Sequence, residues 1–148
     1  MQNYRNRGFA AVGLSRPKNN LNVGSVLRAA GCFGVAMVAT TGNRYRKAPT
    51  DTQKAFRNIP LLAVDDLREV VPFNCVPVAV DILPNAKTLF EFNHPENAFY
   101  IFGPEDGTLK KEIVSWCRST IYIPTKYCMN LAATVHVVLY DRMAKQQI

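Results

Sequence analysis

Hydrophobic positions along the chain fall into two alternating patterns, unbroken apolar runs of strand length and longer stretches with helical spacing. Phe9 to Leu14 is a continuous apolar run ended by Ser15-Arg16-Pro17, so it predicts a buried strand. Asn20-Leu21-Asn22 then offers a cap for a helix that carries Val23, Val26, Leu27, Ala30 and Phe33, with Gly31 and Gly34 near its end. Val35 to Thr40 predicts a second strand, and a basic loop, Thr41 to Lys47, follows it. A short helix is expected over 50–57, and another over Asp65 to Val71, closed by Pro72. Val76 to Ile82, Asn97 to Phe102 and Ser119 to Ile123 predict three further strands. A helix over about 108–117 separates the last two. Met129 to about Lys145 gives a long final helix with Leu131, Val135, Val138 and Leu139 on its apolar face. Strands alternating with helices predict an α/β domain with a mostly parallel sheet flanked by helices. The 148 residues are expected to form a single domain, 1–148, without repeats or linkers.

Composition narrows the class. Hydrophobic residues make up 48% of the chain and charged residues 20%, with no long polar tract, which argues for a packed core and against disorder. Apolar stretches such as Cys75 to Val80 fall far short of the roughly 20 residues that a membrane span needs. Met1-Gln2-Asn3-Tyr4-Arg5 lacks the apolar core of a secretory signal. A soluble cytoplasmic protein with no membrane partner is therefore expected. Cys32, Cys75, Cys117 and Cys128 form no C-x-x-C pair, so free buried thiols are expected, and no metal site.

The net charge of +7 is unevenly placed. Residues 1–58 hold ten Lys and Arg against one acid, Asp51, whereas the remaining ninety hold eight bases and ten acids. Such segregation suits a face that meets a polyanion, and the scatter of the bases through loops favours nucleic acid over a membrane surface. Arg16, Lys18, Arg44, Arg46 and Lys47 are candidate phosphate contacts, and Tyr45 among them is a candidate for stacking on a base. The two histidines read as structural: His94 as a loop residue, His136 as a packing residue or one at a dimer face.

In a parallel sheet, ligands bind beyond the carboxyl ends of the strands. Three loops there carry unusual residues. Asn19 to Arg28 pairs Asn and Gly at a helix start with an arginine one and a half turns further on. Phe102-Gly103-Pro104-Glu105-Asp106-Gly107-Thr108-Leu109 runs from a strand into a Gly-flanked acidic turn, with Glu105 a candidate acceptor. Ile123 to Thr134 runs from a strand end into a helix rich in small residues. None of the three is a dinucleotide fingerprint or a P-loop.

Taken in order, these segments resemble the three motifs of the SPOUT superfamily, specifically its SpoU-like branch of RNA ribose 2′-O-methyltransferases. Motif one, N-x-G-x-x-x-R-x-A, stands as Asn22-Val23-Gly24-Ser25-Val26-Leu27-Arg28-Ala29-Ala30. Motif two, F-G-x-E-x-x-G-L, is close to Phe102 to Leu109, one residue tighter before its second Gly. Motif three stands as Ile123-Pro124-Thr125, Cys128-Met129-Asn130 and Leu139-Tyr140-Asp141. Cys128 replaces the family's Ser, Thr125 its Met, and only Lys126 and Tyr127 separate the two. The chain looks most like the minimal branch that modifies the wobble ribose of tRNA.

The resemblance implies an α/β fold with a C-terminal trefoil knot, and S-adenosylmethionine held near Val80, Ile82, Gly103, Glu105, Ile123, Cys128 and Leu131. It implies a homodimer through the first and last helices, an RNA substrate, most readily tRNA, and methyl transfer to a ribose 2′-hydroxyl. Arg28 would be the residue on which activity depends, with Asn22 and Asn130 orienting it and the substrate and Glu105 steadying its loop. The family casts this arginine as a general base, but a guanidinium with a pKa above about 12 holds a phosphate or a developing alkoxide more easily than it gives up a proton. An rRNA or base methyltransferase, or a non-catalytic RNA-binding protein of the same fold, are the alternative readings.

Overall fold

Along the central strands, alternate residues point to opposite faces of the sheet and both sets are buried, so the sheet is covered on both sides. The structure, a computed structural model, describes residues 3–44 and 59–148. Its strands are β1 Phe9–Leu14, β2 Met37–Thr40, β3 Leu61–Ala63, β4 Val76–Val80, β5 Lys87–Thr88, β6 Asn97–Phe102 and β7 Ser119–Tyr122. Among the described residues these seven form one sheet, ordered β3-β2-β1-β6-β4-β7-β5, and every pairing is parallel. Helices α1 Asn20–Phe33 and α3 Leu131–Lys145 cover one face, where Val26, Leu27, Val135 and Leu139 meet Val12, Leu14, Tyr100 and Phe102. Helix α2, Lys111–Trp116, and a single 3-10 turn at Leu67–Val70 cover the other, over Ala11, Ala79, Phe99 and Ile101. Burying each large apolar side chain contributes on the order of 2 kcal/mol, so the two layers fix the sheet between them.

β7 lies between β4 and β5, which are neighbours in sequence but not in space. Residues 81–86 therefore cross the line of β7 to reach the far edge. The knot that the resemblance implies would involve this crossing, which by itself shows only that β7 enters between β4 and β5.

Several element bounds differ from the sequence reading. The cap of α1 is Asn19, whose side chain accepts from the Leu21 amide, and α3 starts at Leu131 with Asn130 as its cap. The helix expected over 65–71 is reduced to one 3-10 turn capped by Asp66, because Val71 is extended ahead of Pro72. β2 begins at Met37, two residues late, since Gly34 in the left-handed region ends α1 and Val35 still bonds back to Ala30. The helix expected over 50–57 lies outside the described residues. All four cysteines are free, but the expectation of burial holds only for Cys75. Cys117 is half-buried and Cys32 and Cys128 are exposed. Among the described residues, no helix is long and apolar enough to cross a membrane.

His94 is more than a loop residue. Its ring is 4% exposed. Nδ1 lies 2.7 Å from the Tyr100 hydroxyl and Nε2 lies 2.7 Å from Asp141 Oδ2. Arg142 Nη1 donates to that same hydroxyl at 3.1 Å, so the hydroxyl's one proton is left for His94 Nδ1, and Nε2–H then donates to Asp141. A neutral imidazole satisfies the whole chain of bonds. Arg142 also donates to the carbonyls of Arg7, Pro95 and Glu96, and Lys145 to those of Leu89 and Phe92. Together they latch α3 onto the segment between β5 and β6.

Burial lowers the His94 pKa below its ordinary 6.5, against the opposing hydrogen bond and charge of Asp141 and with the help of Lys145 and Arg142. A lowered folded-state value means that the unfolded chain takes up the proton first, so this residue's contribution is present above pH about 6.5 and declines as the pH falls below it. Unfolding titrations of the wild type and His94→Asn should therefore show the stability gap narrowing on acidification. A gap independent of pH between 7 and 5 would mean that His94 is not held neutral.

Candidate functional site

Because all strands run the same way, the loops after them gather at one end of the sheet, and a carboxylate ties the loops together there. Glu105, after β6, accepts from the backbone amides of Lys18 at 2.8 Å and Asn19 at 2.9 Å, and from Asn22 Nδ2 at 3.0 Å. It thereby fixes the start of α1 against the β6 loop. Its partial burial pushes the pKa up, but the bonds from Lys18, Asn22, its own amide and Asn19 outweigh this and hold the carboxyl below its ordinary value. Next to it, Asp106 takes a fork from Arg44, with Nη1 and Nη2 at 3.0 and 2.8 Å. That hydrogen-bonded guanidinium brings Asp106 down to about 2. Arg44 Nη2 also donates to the Arg16 carbonyl, and the Arg16 amide donates to Thr41 Oγ1. The loops after β1, β2 and β6 thus form one hydrogen-bonded unit. Arg16, with φ 52°, sits in the left-handed region within it, a conformation that a non-glycine residue keeps only when its surroundings hold it there.

A cavity of about 850 Å³ opens beside this unit, within the range of small-molecule sites. Its walls come from three strand ends: Val80, Asp81 and Ile82 after β4, Gly103 and Glu105 after β6, and Ile123, Cys128 and Leu131 around the connection from β7 to α3. All seven residues that the sequence reading assigned to a cofactor therefore line one cavity, together with Asn22, Asn130 and Lys18. Gly103 leaves little room, since a Cβ there would lie 3.2 Å from the Leu109 amide nitrogen and 3.3 Å from Asp81 Oδ2. Asp81 escaped the sequence reading. Its Oδ2 accepts from the Leu109 amide and its Oδ1 from the Ile82 amide, so it ties the β4 loop to the approach of α2 while facing the cavity. An acid directly after the apolar run Val76–Val80 was the available signal.

Other assignments change character. Asn130 uses its side-chain oxygen to cap α3 through the Ala133 amide at 2.7 Å, and Asn22 is bound to Glu105. Neither touches Arg28. Arg28 is exposed on α1, makes no side-chain hydrogen bond or ion pair among the described residues, and does not line the cavity of its own chain. Arg44, read as a phosphate contact, is engaged inside the protein by Asp106. Lys18 is exposed at the cavity, while Arg16 lines a smaller cleft with Asp66, Arg68 and Lys110. Tyr45, Arg46 and Lys47 lie outside the described residues. The short motif-three loop is closed locally, with the Thr125 hydroxyl donating to the Tyr127 carbonyl at 2.7 Å.

The model of the SpoU rRNA methylase family matches residues 10–140. No curated protein matches the chain. Among solved structures, the SpoU methyltransferase AviRb from Streptomyces viridochromogenes, in complex with AdoMet, superposes with a TM-score of 0.81 at 21% identity over 94% of this chain. This chain spans 58% of that protein's length. The TrmH/SpoU tRNA modifying enzyme of A. aeolicus gives 0.82 at 18% identity, over 96% of this chain and 77% of its own. A structure described by the 2-OH methylation of C/U34 on tRNA gives 0.78 at 22%, over 91% of this chain and 94% of its own.

Replacing Glu105 with Ala should free the start of α1. Amide exchange at Lys18 and Asn19 should accelerate, and stability should fall by about 1–2 kcal/mol, the scale for hydrogen bonds to a charged group at a solvated site. Because the folded pKa is lowered, the same amides in the wild type should lose protection as the pH falls through and below the ordinary carboxylate range. Unchanged protection in the Ala variant would show that the loop stands without the carboxylate.

Proposed function

Because the chain belongs to the SpoU rRNA methylase family, we propose that it transfers a methyl group from S-adenosylmethionine to a ribose 2′-hydroxyl of RNA, most readily of tRNA. The observation that carries this reading is the convergence of residues from three separated motifs on one cavity. Its apolar walls at Val80, Ile82, Ile123 and Leu131 suit an adenine ring, and Gly103 lets the β6 loop close on the Leu109 amide and Asp81 at the cavity's edge. Asp81, whose oxygens already accept from the Ile82 and Leu109 amides, keeps further lone pairs at the cavity for hydroxyl or amino groups. When bound, the cofactor supplies a methyl made electrophilic by its sulfonium.

What remains for the protein is positioning. Glu105 holds Asn22 and the start of α1 beside the cavity, and Lys18 stands at its edge for a phosphate. Arg28 is assigned to the ribose phosphate and the developing alkoxide. Its absence from its own cavity fits a homodimer in which a partner supplies it. The face for such a dimer is the outer side of α1 and α3, where Leu21 is 74% and Tyr140 59% exposed and the rings of Phe33, His136 and Tyr140 meet edge to face. The preference for tRNA rests on the neighbour that acts on C/U34, of which this chain covers 94%.

Calorimetry with S-adenosylmethionine tests the site. Gly103→Val should weaken binding at least tenfold while the chain stays folded, and wild-type affinity in that variant would move the cofactor elsewhere. Single-turnover methylation of unfractionated tRNA and rRNA tests the rest. Arg28→Ala should raise the barrier by roughly 3 kcal/mol, the cost of losing one preorganised charge-stabilising donor, with cofactor affinity unchanged. Wild-type rates for Arg28→Ala would remove it from the mechanism, and cofactor binding without transfer to either RNA would favour a binding protein.

A further inference from the structure

Ahead of β1 the chain runs through two exposed arginines that the cavity does not involve. Arg5 and Arg7 each pair their main chain with one glutamine that follows α3. The Arg5 amide donates to Gln147 Oε1 at 2.8 Å, and Gln147 Nε2 donates back to the Arg5 carbonyl at 2.7 Å. Gln146 repeats the pattern on Arg7, at 3.3 and 2.9 Å. Each carboxamide thus stands in for one residue of a neighbouring strand. Binding both the N–H and the C=O of residues i and i+2 along one edge is the geometry of an extended chain, in which those two side chains share a face.

The segment is held at three further points. Gly8, with φ 81°, turns it out of β1 so tightly that a Cβ there would fall 1.9 Å from the Glu96 carbonyl oxygen. Arg142 donates to the Arg7 carbonyl. Asn6, between the arginines and so on the opposite face, packs over Gly34 at the end of α1, where a Cβ would fall 2.5 Å from its Nδ2.

We infer that this clamped segment is an RNA-backbone contact, remote from the cavity, in which the glutamines present Arg5 and Arg7 as a rigid pair to successive phosphates of one strand. The inference rests on the reading of the protein as acting on RNA. Both arginines are exposed, and among the described residues neither forms an ion pair, in contrast to Arg44 with Asp106. Two guanidiniums on one face of an extended chain lie about 7 Å apart at the backbone, close enough to serve neighbouring phosphates. With the main chain already fixed, binding has only the side chains left to order, which is where preorganisation gains affinity. The location adds reach, because β1 starts at this end of the sheet and the cavity lies at its other end.

The test measures binding of labelled unfractionated tRNA over 50–200 mM salt, with vesicles of anionic phospholipid in parallel. Arg5→Ala/Arg7→Ala should reduce the salt slope by about two, so that the loss of affinity across that salt range shrinks by about tenfold, with cofactor affinity and thermal midpoint unchanged. Gln146→Ala/Gln147→Ala, which keeps both charges but releases the segment, should weaken binding several-fold at an unchanged slope. An unaltered slope in the arginine variant, full affinity in the glutamine variant, or loss of vesicle binding in place of tRNA binding would each overturn the inference. No tRNA binding by the wild type would instead sink the RNA reading itself.

Discussion

The site depends on how one carboxylate resolves a problem that a parallel sheet creates. Every strand delivers its last residue to the same end, and the loops that follow must satisfy their own backbone groups there without filling the space between them. Glu105 answers this by taking two main-chain amides and the Asn22 carboxamide from the far side of the β6 turn. Three donors keep it ionised despite partial burial. Asp106 and Arg44 extend the tie to the loop after β2, and Asp81 makes the corresponding bond toward α2. The cavity is what these tied loops leave open. Strand ends supply its apolar walls, and the polar groups that share the lining are mostly engaged within the protein, so its shape is set before any ligand arrives.

The sheet's interior was legible because its strands are unbroken apolar runs buried on both faces. β1 and β6 form at the expected bounds and β4 ends two residues short of Ile82, while β7, expected over 119–123, stops at Tyr122 and buries only Ile121. β3 and β5 were not legible, since Leu61–Ala63 and Lys87–Thr88 are too short for any periodicity and gain strand geometry only from the neighbour they pair with. Strand-end logic and motif order point to one end of the sheet, and the seven positions read as cofactor-binding do share a cavity there. Roles within it were less legible. Glu105 read both as an acceptor for a ligand and, by resemblance, as steadying its loop, and its oxygens face the protein in the second manner. Arg44 read as a free cation, yet its partner lies sixty-two residues away. His94, Tyr100, Asp141 and Arg142 form a buried network in which His94 and Asp141 alone lie forty-seven residues apart, and nothing local to His94 announces it.

The two polar clusters do different jobs with similar chemistry. At the cavity end, the exposed carboxylates of Glu105 and Asp106 hold loops by accepting from backbone amides and from Arg44, in contact with solvent. At the opposite end, Arg142 and His94 are buried and fully bonded, and they join α3, the approach to β6 and the segment ahead of β1. The buried cluster anchors the helical layer, and the exposed one ties the loops that leave the cavity between them.

The position of β7 between β4 and β5 bears on how such a chain reaches its native state. Until Ser119–Tyr122 is in place, β4 and β5 each present an unpaired edge, and the residues that join them arch over an empty slot. Local contacts cannot fill that slot, because the strand that belongs there comes some thirty-five residues later, after β6 and α2. Neither half of the sheet forms from local contacts, since β1 meets β6 across 88 residues at Phe9 and Asn97 and β4 takes β7 beside it only after β6 and α2 have passed. Sheets built from such distant pairings fold slowly. Until β7 is seated both of those edges stay open, so the same strand order that walls the cavity also leaves backbone groups free to pair with the wrong chain before the sheet is complete.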